Sequence, residues 1–213
     1  MISNAEIKRV KALQSKKFRD ESGLFVVEGE KMVAEALESG LQVEAVYRRD
    51  EIGEQAMARI SSLNSPSPVL AVVRQAAAPD IDEIRSFVRS CGRDMLAIAL
   101  DEIRDPGNLG TIIRLADWYG IDAVFCSAGT VELYNPKVVQ STMGAIFRKK
   151  VIYCDLNNIF DIFASNGLPI YGTFLEGEDI YRSELSSGGL IVMGNEANGI
   201  SPELRSRISA KLF

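Results

Sequence analysis

The chain of 213 residues contains no histidine. Histidine is the usual general base near neutral pH and the commonest protein metal ligand, so its absence excludes a Ser-His-Asp hydrolase and a His-ligated metal site. The three cysteines, Cys91, Cys126 and Cys154, are widely spaced. Because Cys126 and Cys154 fall in strand-like runs, we predict that both are reduced core residues and that the chain holds no metal.

Long hydrophobic runs are also missing. No stretch approaches the roughly 18 apolar residues that a membrane span needs, and the first residues have no apolar signal core. We therefore expect a cytoplasmic protein with no membrane segment. The net charge of −5 argues against nonspecific coating of nucleic acid. Residues 8–19, however, hold six basic residues and no acid, which fits either a surface that meets an anion or a solvated basic helix.

Two sets of alternating strand and helix patterns follow one another along the chain. After a basic amphipathic helix over residues 3–19, strands near 24–27, 43–47 and 69–73 alternate with helices over 29–39 and 50–62. This pattern predicts a small α/β domain over 1–75. A linker over 76–93, with a short helix at 80–90, is predicted to precede a second domain over 94–213.

The second set of patterns predicts a parallel sheet. Its strands are near-continuous apolar runs separated by helices, as in sheets that are covered on both faces. The predicted strands lie near 95–100, 122–126, 150–154, 168–174 and 190–194, and the predicted helices at 108–119, 136–147, 156–166 and 202–208.

Two glycine-bearing turns directly follow strands of this second set. The first is Asp105-Pro-Gly-Asn108-Leu-Gly110-Thr-Ile-Ile-Arg114, and the second is Met193-Gly194-Asn195-Glu196-Ala-Asn-Gly199. Open α/β sheets bind ligands at such turns, because backbone approaches a ligand only where side chains are small. Neither turn has the dinucleotide or phosphate-loop spacing. The short Gly107–Gly110 spacing also fits an RNA-binding KH loop, although that loop would not follow a strand.

Each turn carries one charged residue suited to chemistry. Arg114 lies one helical turn beyond Gly110, where a bound anion would offset its unfavourable interaction with the helix dipole. We predict that Ile112, Leu115, Ala116 and Tyr119 form the buried stripe of this helix. A solvated arginine and a solvated loop carboxylate, Glu196, are the alternative at this point.

The residues quoted above resemble a known family. Asn108-Leu-Gly110-Thr-Ile-Ile-Arg114 is similar to the first motif, N-x-G-x-x-x-R, of the SpoU-type (TrmH-type) RNA ribose 2′-O-methyltransferases of the SPOUT class, and Gly194-Asn-Glu196-Ala-Asn-Gly199 is similar to their second motif, G-x-E-x-x-G. The segment Asn135–Arg148 resembles the family's central segment. Residues 25–37 resemble its N-terminal substrate-binding domain, so the resemblance spans nearly the whole chain.

The resemblance implies a fold and a reaction. The fold is a small N-terminal α/β domain and a parallel-sheet α/β catalytic domain of the trefoil-knot type. The reaction moves a methyl group from S-adenosylmethionine to a ribose 2′-hydroxyl of tRNA or rRNA, in a homodimer. A non-catalytic RNA-binding protein that keeps the fold is the alternative.

The resemblance also assigns roles to residues. Arg114, Asn108 and Glu196 are expected to be catalytic; because arginine stays protonated, we favour a phosphate clamp over a general base for Arg114. The expected cofactor-binding residues are Thr173, Phe174, Leu175, Gly194, Asn195 and Gly199. The expected RNA-binding residues are Lys16, Lys17 and Arg19 on the basic helix, and Arg148.

One part of the family pattern is missing from this sequence. The third motif, an apolar strand followed by a Ser-Leu-Asn helix start, should come after Lys211-Leu212-Phe213. This segment forms the knot and completes the cofactor pocket. Either the sequence is shortened at this end or the protein lacks methyl transfer; we favour the first, and we expect weak cofactor binding by the 213-residue form.

Overall fold

The computed structural model describes residues 2–213. Its helices are α1 (Asn4–Ala12), α2 (Lys16–Ser22), α3 (Glu30–Glu38), α4 (Arg49–Ile52), α5 (Glu54–Ile60), α6 (Ile81–Cys91), α7 (Pro106–Trp118), α8 (Pro136–Thr142), α9 (Leu156–Ser165) and α10 (Pro202–Arg205). Its strands are β1 (Leu24–Glu28), β2 (Val43–Arg48), β3 (Val69–Arg74), β4 (Leu96–Asp101), β5 (Ala123–Cys126), β6 (Lys150–Tyr153), β7 (Ile170–Glu178), β8 (Gly189–Gly194) and β9 (Ala210–Leu212).

The chain divides into two compact units. The first holds the residues up to Ala77 together with Glu132–Arg148, and the second holds Ala78–Val131 together with Lys149–Phe213. None of the helices described for residues 2–213 is long and apolar enough to cross a bilayer.

The first unit has a three-stranded sheet in the order β1-β3-β2, with β3 antiparallel to both neighbours. The apolar face of α1 packs on this sheet, where Ile7, Val10 and Leu13 meet Val26 and Val72. The order of elements matches the predicted α/β domain, and the apolar spacing of α1 gives its inward face.

Two predicted helices of the first unit are each divided in two. The predicted helix over 3–19 ends at Ala12 and restarts at Lys16, which turns both Leu13 and Arg19 into the interior. Residues six positions apart point about 120° apart on one straight helix, so a single helix could not bury both. The predicted helix over 50–62 is interrupted at Gly53, whose φ of +85° lies in the left-handed region.

The segment Glu132–Arg148 groups with the first unit, although the sequence placed it within the second domain. Its helix α8 packs against β1. The ring of Tyr134 lies 4.6 Å from that of Phe25, and the Tyr134 hydroxyl accepts the Ala76 N–H at 3.0 Å. The segment lies between β5 and β6 in the sequence, so we assigned it to their domain. Its contacts with Phe25 and Ala76 join residues more than fifty positions apart, which local sequence patterns do not reveal.

The second unit has the predicted parallel sheet, with six strands in the order β6-β5-β4-β8-β7-β9. Its core includes Phe125, Phe160 and Phe163, with α6 and α9 packed together. The short helix predicted at 80–90 within the linker is α6, which begins with an Asp80–Glu83 capping box. The helix buries Ile84 and Val88 in the core, so this segment is part of the second unit.

All three cysteines are free thiols, as predicted for Cys126 and Cys154, although Cys154 is only partly buried. Cys126 is fully buried in β5, and burial raises the pKa of its thiol far above the ordinary value. Burial also raises the pKa of Cys154 to about 12. Both thiols therefore stay protonated and unreactive near neutral pH.

Candidate active site

The two glycine turns start side by side at one edge of the parallel sheet. β4 and β8 are neighbours, and Asp101, the last residue of β4, is in register with Gly194, the last residue of β8. The direction of the connections reverses at this point of the sheet. The chain passes from β4 to its neighbour β5, whereas β8 pairs with the opposite side of β4. In open α/β sheets such a switch point opens a crevice at the carboxyl ends of the strands.

The first turn is a helix start built by Asp105 and Pro106. The Asp105 carboxylate caps α7 by accepting the Asn108 N–H at 2.9 Å, and Pro106 occupies the first helical position. At Gly107 a Cβ would lie 2.9 Å from the Asp105 carboxylate. These contacts fix Asn108 at the start of the helix, with its side chain directed to the second turn.

The buried stripe of α7 differs from the predicted one. Leu109, Gly110, Ile113 and Ala116 are buried, and of the four predicted residues only Ala116 is among them. Tyr119 is 72% exposed and Trp118 is 84% exposed. The prediction chose the wrong side of the helix because both sides carry apolar residues at helical spacing.

The second turn needs both of its glycines. A Cβ on Gly194 would lie 2.1 Å from the backbone carbon of Gly199, and Gly199 has a φ of +66°. Asn195 and Gly199 exchange backbone hydrogen bonds of 3.0 and 2.9 Å. The Asn195 side chain accepts the Ala197 N–H at 3.0 Å and donates to the Glu102 carbonyl at 2.8 Å. Asn195 thus ties the second turn to the end of β4.

Glu196 joins the two turns. Its Oε1 accepts from Asn108 Nδ2 at 3.0 Å and from the Asp105 N–H at 3.3 Å, and its Oε2 accepts from the Arg104 N–H at 3.3 Å. Burial alone would raise the pKa of Glu196, but the hydrogen bonds from Asn108 and from backbone N–H groups outweigh it and lower the pKa below the ordinary value. Glu196 is therefore an ionised, oriented carboxylate near neutral pH.

A cavity of about 260 Å³ lies where the turns meet. Apolar side chains, two threonines and the Glu196 carboxylate line it: Ile103, Asn108, Thr111, Ile112, Thr173, Met193, Gly194 and Glu196. Arg114 is exposed on α7, one helical turn beyond Thr111. Residues three apart share a helix face, so Arg114 lies on the same side of α7 as Thr111, although Arg114 is not among the residues that line the cavity.

The three predicted cofactor residues on β7 have different surroundings. Thr173 lines the cavity, and its Oγ1 donates to the Val192 carbonyl at 3.2 Å. Phe174 packs against the core, with Arg205 and Lys211 over its ring at 5.5 and 5.3 Å. It borders a second, mostly apolar cavity of about 300 Å³. Leu175 is 91% exposed and lines neither cavity.

The predicted RNA-binding residues lie in the first unit, and Arg19 is buried there with 2% exposure. Its guanidinium donates to both carboxylate oxygens of Glu132, with Nε 2.9 Å from Oε1, and Nη1 donates to the Leu13 carbonyl at 2.8 Å. Arg19 therefore holds the first unit together and has no surface to offer to RNA. This corrects its prediction as a phosphate contact.

The other three predicted RNA-binding cations are exposed but paired. Lys16 contacts Asp20 at 2.5 Å, and Lys17 contacts Glu21 at 3.9 Å, both one helical turn away. Arg148 pairs with Glu35 on α3. Pairs of this kind contribute little to stability and exchange readily for another anion.

Three acidic residues between the end of β4 and the start of α7 were not predicted as site residues. Asp101 is buried and accepts the Ser201 N–H at 2.7 Å, Asp105 caps α7, and Glu102 follows β4. The Asp105-Pro106 pair is a helix-start signature that the sequence displays. Across residues 2–213, no group of acidic or sulfur side chains is arranged to hold a metal ion.

Two family models match the chain. The model of the SpoU rRNA Methylase family matches residues 95–212, and the model of the MRM3-like substrate binding domain matches residues 4–76.

Among relatives, the Bacillus subtilis 23S rRNA (guanosine(2553)-2′-O)-methyltransferase RlmP is 29% identical over 99% of this chain and 87% of its own length. The mitochondrial relatives are longer, and the chain covers 39% of the Xenopus tropicalis rRNA methyltransferase 3.

Two solved structures share the fold over the whole chain. A TrmH-family structure from Porphyromonas gingivalis has a TM-score of 0.87 and 31% identity, with 100% of this chain and 88% of that chain covered. An AdoMet-bound rRNA methyltransferase from Sinorhizobium meliloti has a TM-score of 0.85 and 28% identity, with 100% and 86% covered.

Proposed function

The chain belongs to the SpoU rRNA Methylase family, and we propose that it transfers the methyl group of S-adenosylmethionine to a ribose 2′-hydroxyl of ribosomal RNA. The matched residues make up more than half of the chain and confirm the predicted resemblance. The sequence left tRNA and rRNA open. The rRNA substrate is favoured because RlmP and the mitochondrial relatives are named for rRNA.

The observation that carries this proposal is the meeting of the two motifs at one cavity. Asn108 and Glu196 are 88 positions apart, yet Asn108 Nδ2 donates to Glu196 Oε1 at 3.0 Å. Gly194 and Thr173 border the same cavity. A chance similarity in two surface loops would not bring their polar residues to the carboxyl ends of neighbouring strands.

The residues around the cavity fit S-adenosylmethionine. The Glu196 carboxylate complements a positive sulfonium, the hydroxyls of Thr111 and Thr173 suit polar groups, and Ile112 and Met193 offer apolar walls. When bound, the cofactor supplies an activated methyl group that needs no acid catalyst. The AdoMet-bound Sinorhizobium meliloti structure supports this assignment.

The protein's own residues then have to orient the ribose and stabilise charge. Methyl transfer requires nucleophile and methyl group in line, so most of the rate gain comes from placement. Arg114 is proposed to clamp an RNA phosphate and to stabilise the developing alkoxide with its planar fork, while the proton of the 2′-hydroxyl leaves to a substrate phosphate or to water. Ionised Glu196, through Asn108 and the Asp105 N–H, holds the start of α7 and thereby the approach of Arg114.

The first unit is proposed to bind RNA, and residues 1–75 remain our boundaries for that domain. The match of residues 4–76 to a substrate-binding domain supports this role. Lys16, Lys17 and Arg148 are the proposed phosphate contacts, because each is exposed and each takes part in a surface ion pair. Arg19 is not included, since it is buried against Glu132.

A homodimer and a cytoplasmic location complete the proposal. Leu115 and Trp118 on α7 and Tyr119 just after it form an exposed apolar patch, and we propose that a second copy of the chain covers it. Replacing Trp118 with Arg should shift the mass measured by light scattering from dimer to monomer. A wild-type protein that is monomeric at micromolar concentration would contradict the dimer. The bacterial relative RlmP supports a cytoplasmic location.

The reaction can be tested with methyl-tritiated S-adenosylmethionine and 23S rRNA. A ribose 2′-O-methyl group blocks alkaline cleavage of the adjacent phosphodiester, because the 2′-hydroxyl is the nucleophile in that cleavage. We expect the label in alkali-resistant dinucleotides, with Arg114→Lys as the inactive comparison. Label on a base, or no label in any ribosomal RNA, would contradict the proposed function.

A further inference from the structure

Glu102 has a strained backbone that two hydrogen bonds hold in place. Its φ is +58°, in the left-handed region that favours glycine. Its N–H donates to Ser127 Oγ at 2.9 Å, and its carbonyl accepts from Asn195 Nδ2 at 2.8 Å. The residue is thereby fixed between the end of β5 and the second turn. Strain of this kind persists only where the surroundings enforce it, and it concentrates at functional sites.

The side chain of Glu102 occupies space that a side chain at position 129 would fill. A Cβ on Gly129 would lie 2.8 Å from Glu102 Cγ, so the absence of a side chain there makes room for the carboxylate. Glu102 Oε2 accepts from Arg104 Nη2 at 2.8 Å. Position 102 therefore carries a glutamate although glycine would adopt this backbone without strain, and the Glu102 carboxylate contacts the Arg104 guanidinium.

Arg104 is an exposed cation at the edge of the candidate active site. Its side chain is 66% exposed, and its backbone N–H donates to Glu196 Oε2 at 3.3 Å. Glu102 engages one of the five N–H donors of the guanidinium, which leaves the rest of the fork for a second anion. A surface ion pair contributes little to stability, so the pair alone does not explain the strain at Glu102.

We propose that Arg104 binds a phosphate of the substrate RNA beside the target ribose, and that Glu102 is the positioning residue that aims its guanidinium. This inference rests on the proposed function and adds a substrate contact to it. An arginine fork matches a phosphodiester in geometry, and fixing the fork beforehand lowers the ordering cost of binding. Glu102 thus acts on RNA affinity through Arg104.

Arg104→Gln tests the phosphate contact, with Arg85→Gln as the matched control. Arg85 also pairs with a nearby acid, Asp82, but it lies on α6, whereas the backbone N–H of Arg104 donates to Glu196 of the second turn. We expect Arg104→Gln to raise the KM for 23S rRNA about tenfold and to reduce the salt dependence of rRNA binding by about one phosphate contact. The turnover number and the affinity for S-adenosylmethionine should stay near wild type. An unchanged KM and salt slope, or a change matched by Arg85→Gln, would overturn the contact.

The positioning role of Glu102 is tested by two replacements, one that relieves the backbone strain at position 102 and one that keeps it. Glu102→Gly removes the carboxylate and suits the left-handed backbone, whereas Glu102→Gln keeps the strain and removes the charge. Both should raise the KM for rRNA about two- to threefold, as expected for a less ordered guanidinium. Neither should change KM further when Arg104 is already Gln. An equal effect in both backgrounds, or a fall in turnover number alone, would refute the positioning role.

Failure of this inference differs from failure of the proposed function. If the wild-type protein methylates rRNA and Arg104→Gln does so with the same KM, only the phosphate contact is lost. If the wild type methylates no ribosomal RNA, the proposed reaction fails, and filter binding of 23S rRNA still decides the contact. In that case an unchanged salt slope for Arg104→Gln refutes it.

Discussion

Two regions drew attention in the sequence, and the structure treats their charges in opposite ways. The basic run at residues 8–19 spreads over α1 and α2, where Arg19 is buried on Glu132 and Lys16 pairs with Asp20. At the two glycine turns, residues far apart in sequence converge, and Glu196 receives hydrogen bonds from Asn108 and two backbone N–H groups. The number of charges in a segment was therefore a poorer guide to functional residues than the spacing of small and polar residues at strand ends.

Among variants that distinguish the glycine turns from the basic run, we expect the largest effect, a fall in turnover, from replacing Arg114. Arg114→Lys keeps the charge but loses the planar fork, so turnover should fall about 100- to 1,000-fold, as when one donor to a developing oxyanion is removed. Arg85→Lys, a paired surface arginine on α6, is the control and should stay at wild-type turnover. Single-turnover methyl transfer to rRNA measures both. Wild-type turnover in Arg114→Lys would remove it from the site.

Arg19 should show the contrasting behaviour of a structural residue. Arg19→Met leaves Glu132 without its partner, and we expect the free energy of unfolding to fall by about 3 kcal/mol. Urea unfolding measures this loss. The double variant Arg19→Met/Glu132→Leu should recover much of it, because no uncompensated charge remains. A loss of RNA affinity with unchanged stability would instead make Arg19 a phosphate contact.

Glu196 should make the second turn sensitive to acid. Its folded-state pKa lies below the ordinary value of 4.5, so its stabilising contribution is fully present above that pH. The contribution is lost as the pH falls through the lowered folded-state pKa. Glu196→Gln removes this pH dependence of stability. We also expect its turnover near neutral pH to fall about tenfold, because the hydrogen bonds to a charged acceptor are lost. Thermal unfolding between pH 3 and 7 compares the two proteins; parallel pH curves would contradict the prediction.

The smallest expected effect is at the exposed lysines of α2. Lys16→Gln/Lys17→Gln should weaken rRNA binding several-fold at low salt and reduce the salt slope by about one to two contacts. Turnover at saturating RNA should not change. Asp20→Asn/Glu21→Gln removes the competing carboxylates and should strengthen binding slightly. Identical salt slopes in all three proteins would leave α2 outside the RNA interface.

The sequence was sufficient for the elements that depend on local pattern. Five of the six strands of the parallel sheet were predicted from their apolar runs, and Gly120 and Gly167 adopt positive φ where helices end. The second turn could be located because both of its glycines are required by the backbone: Gly194 has no room for a Cβ, and Gly199 has a positive φ. Asp105 and Pro106 carry a helix-start signature, but the prediction began this helix at residue 108 and overlooked their part in the site.

What the sequence could not give depends on long-range packing. The burial of Arg19 requires Glu132, which is 113 positions away, and the grouping of α8 with β1 is of the same kind. The buried side of α7 could not be chosen because Leu115 and Ile113 are equally apolar. The strain at Glu102 arises from Ser127 and Asn195, which no periodicity relates to it.

The most direct test of the central claim is a double-mutant cycle on methyl transfer between Asn108 and Glu196. Each of Asn108→Ala and Glu196→Gln should slow transfer about tenfold. If the hydrogen bond between them makes the two turns one site, the double variant should be little slower than either single variant. Fully multiplicative losses, about a hundredfold in the double variant, would show that the two turns act independently and would contradict the account.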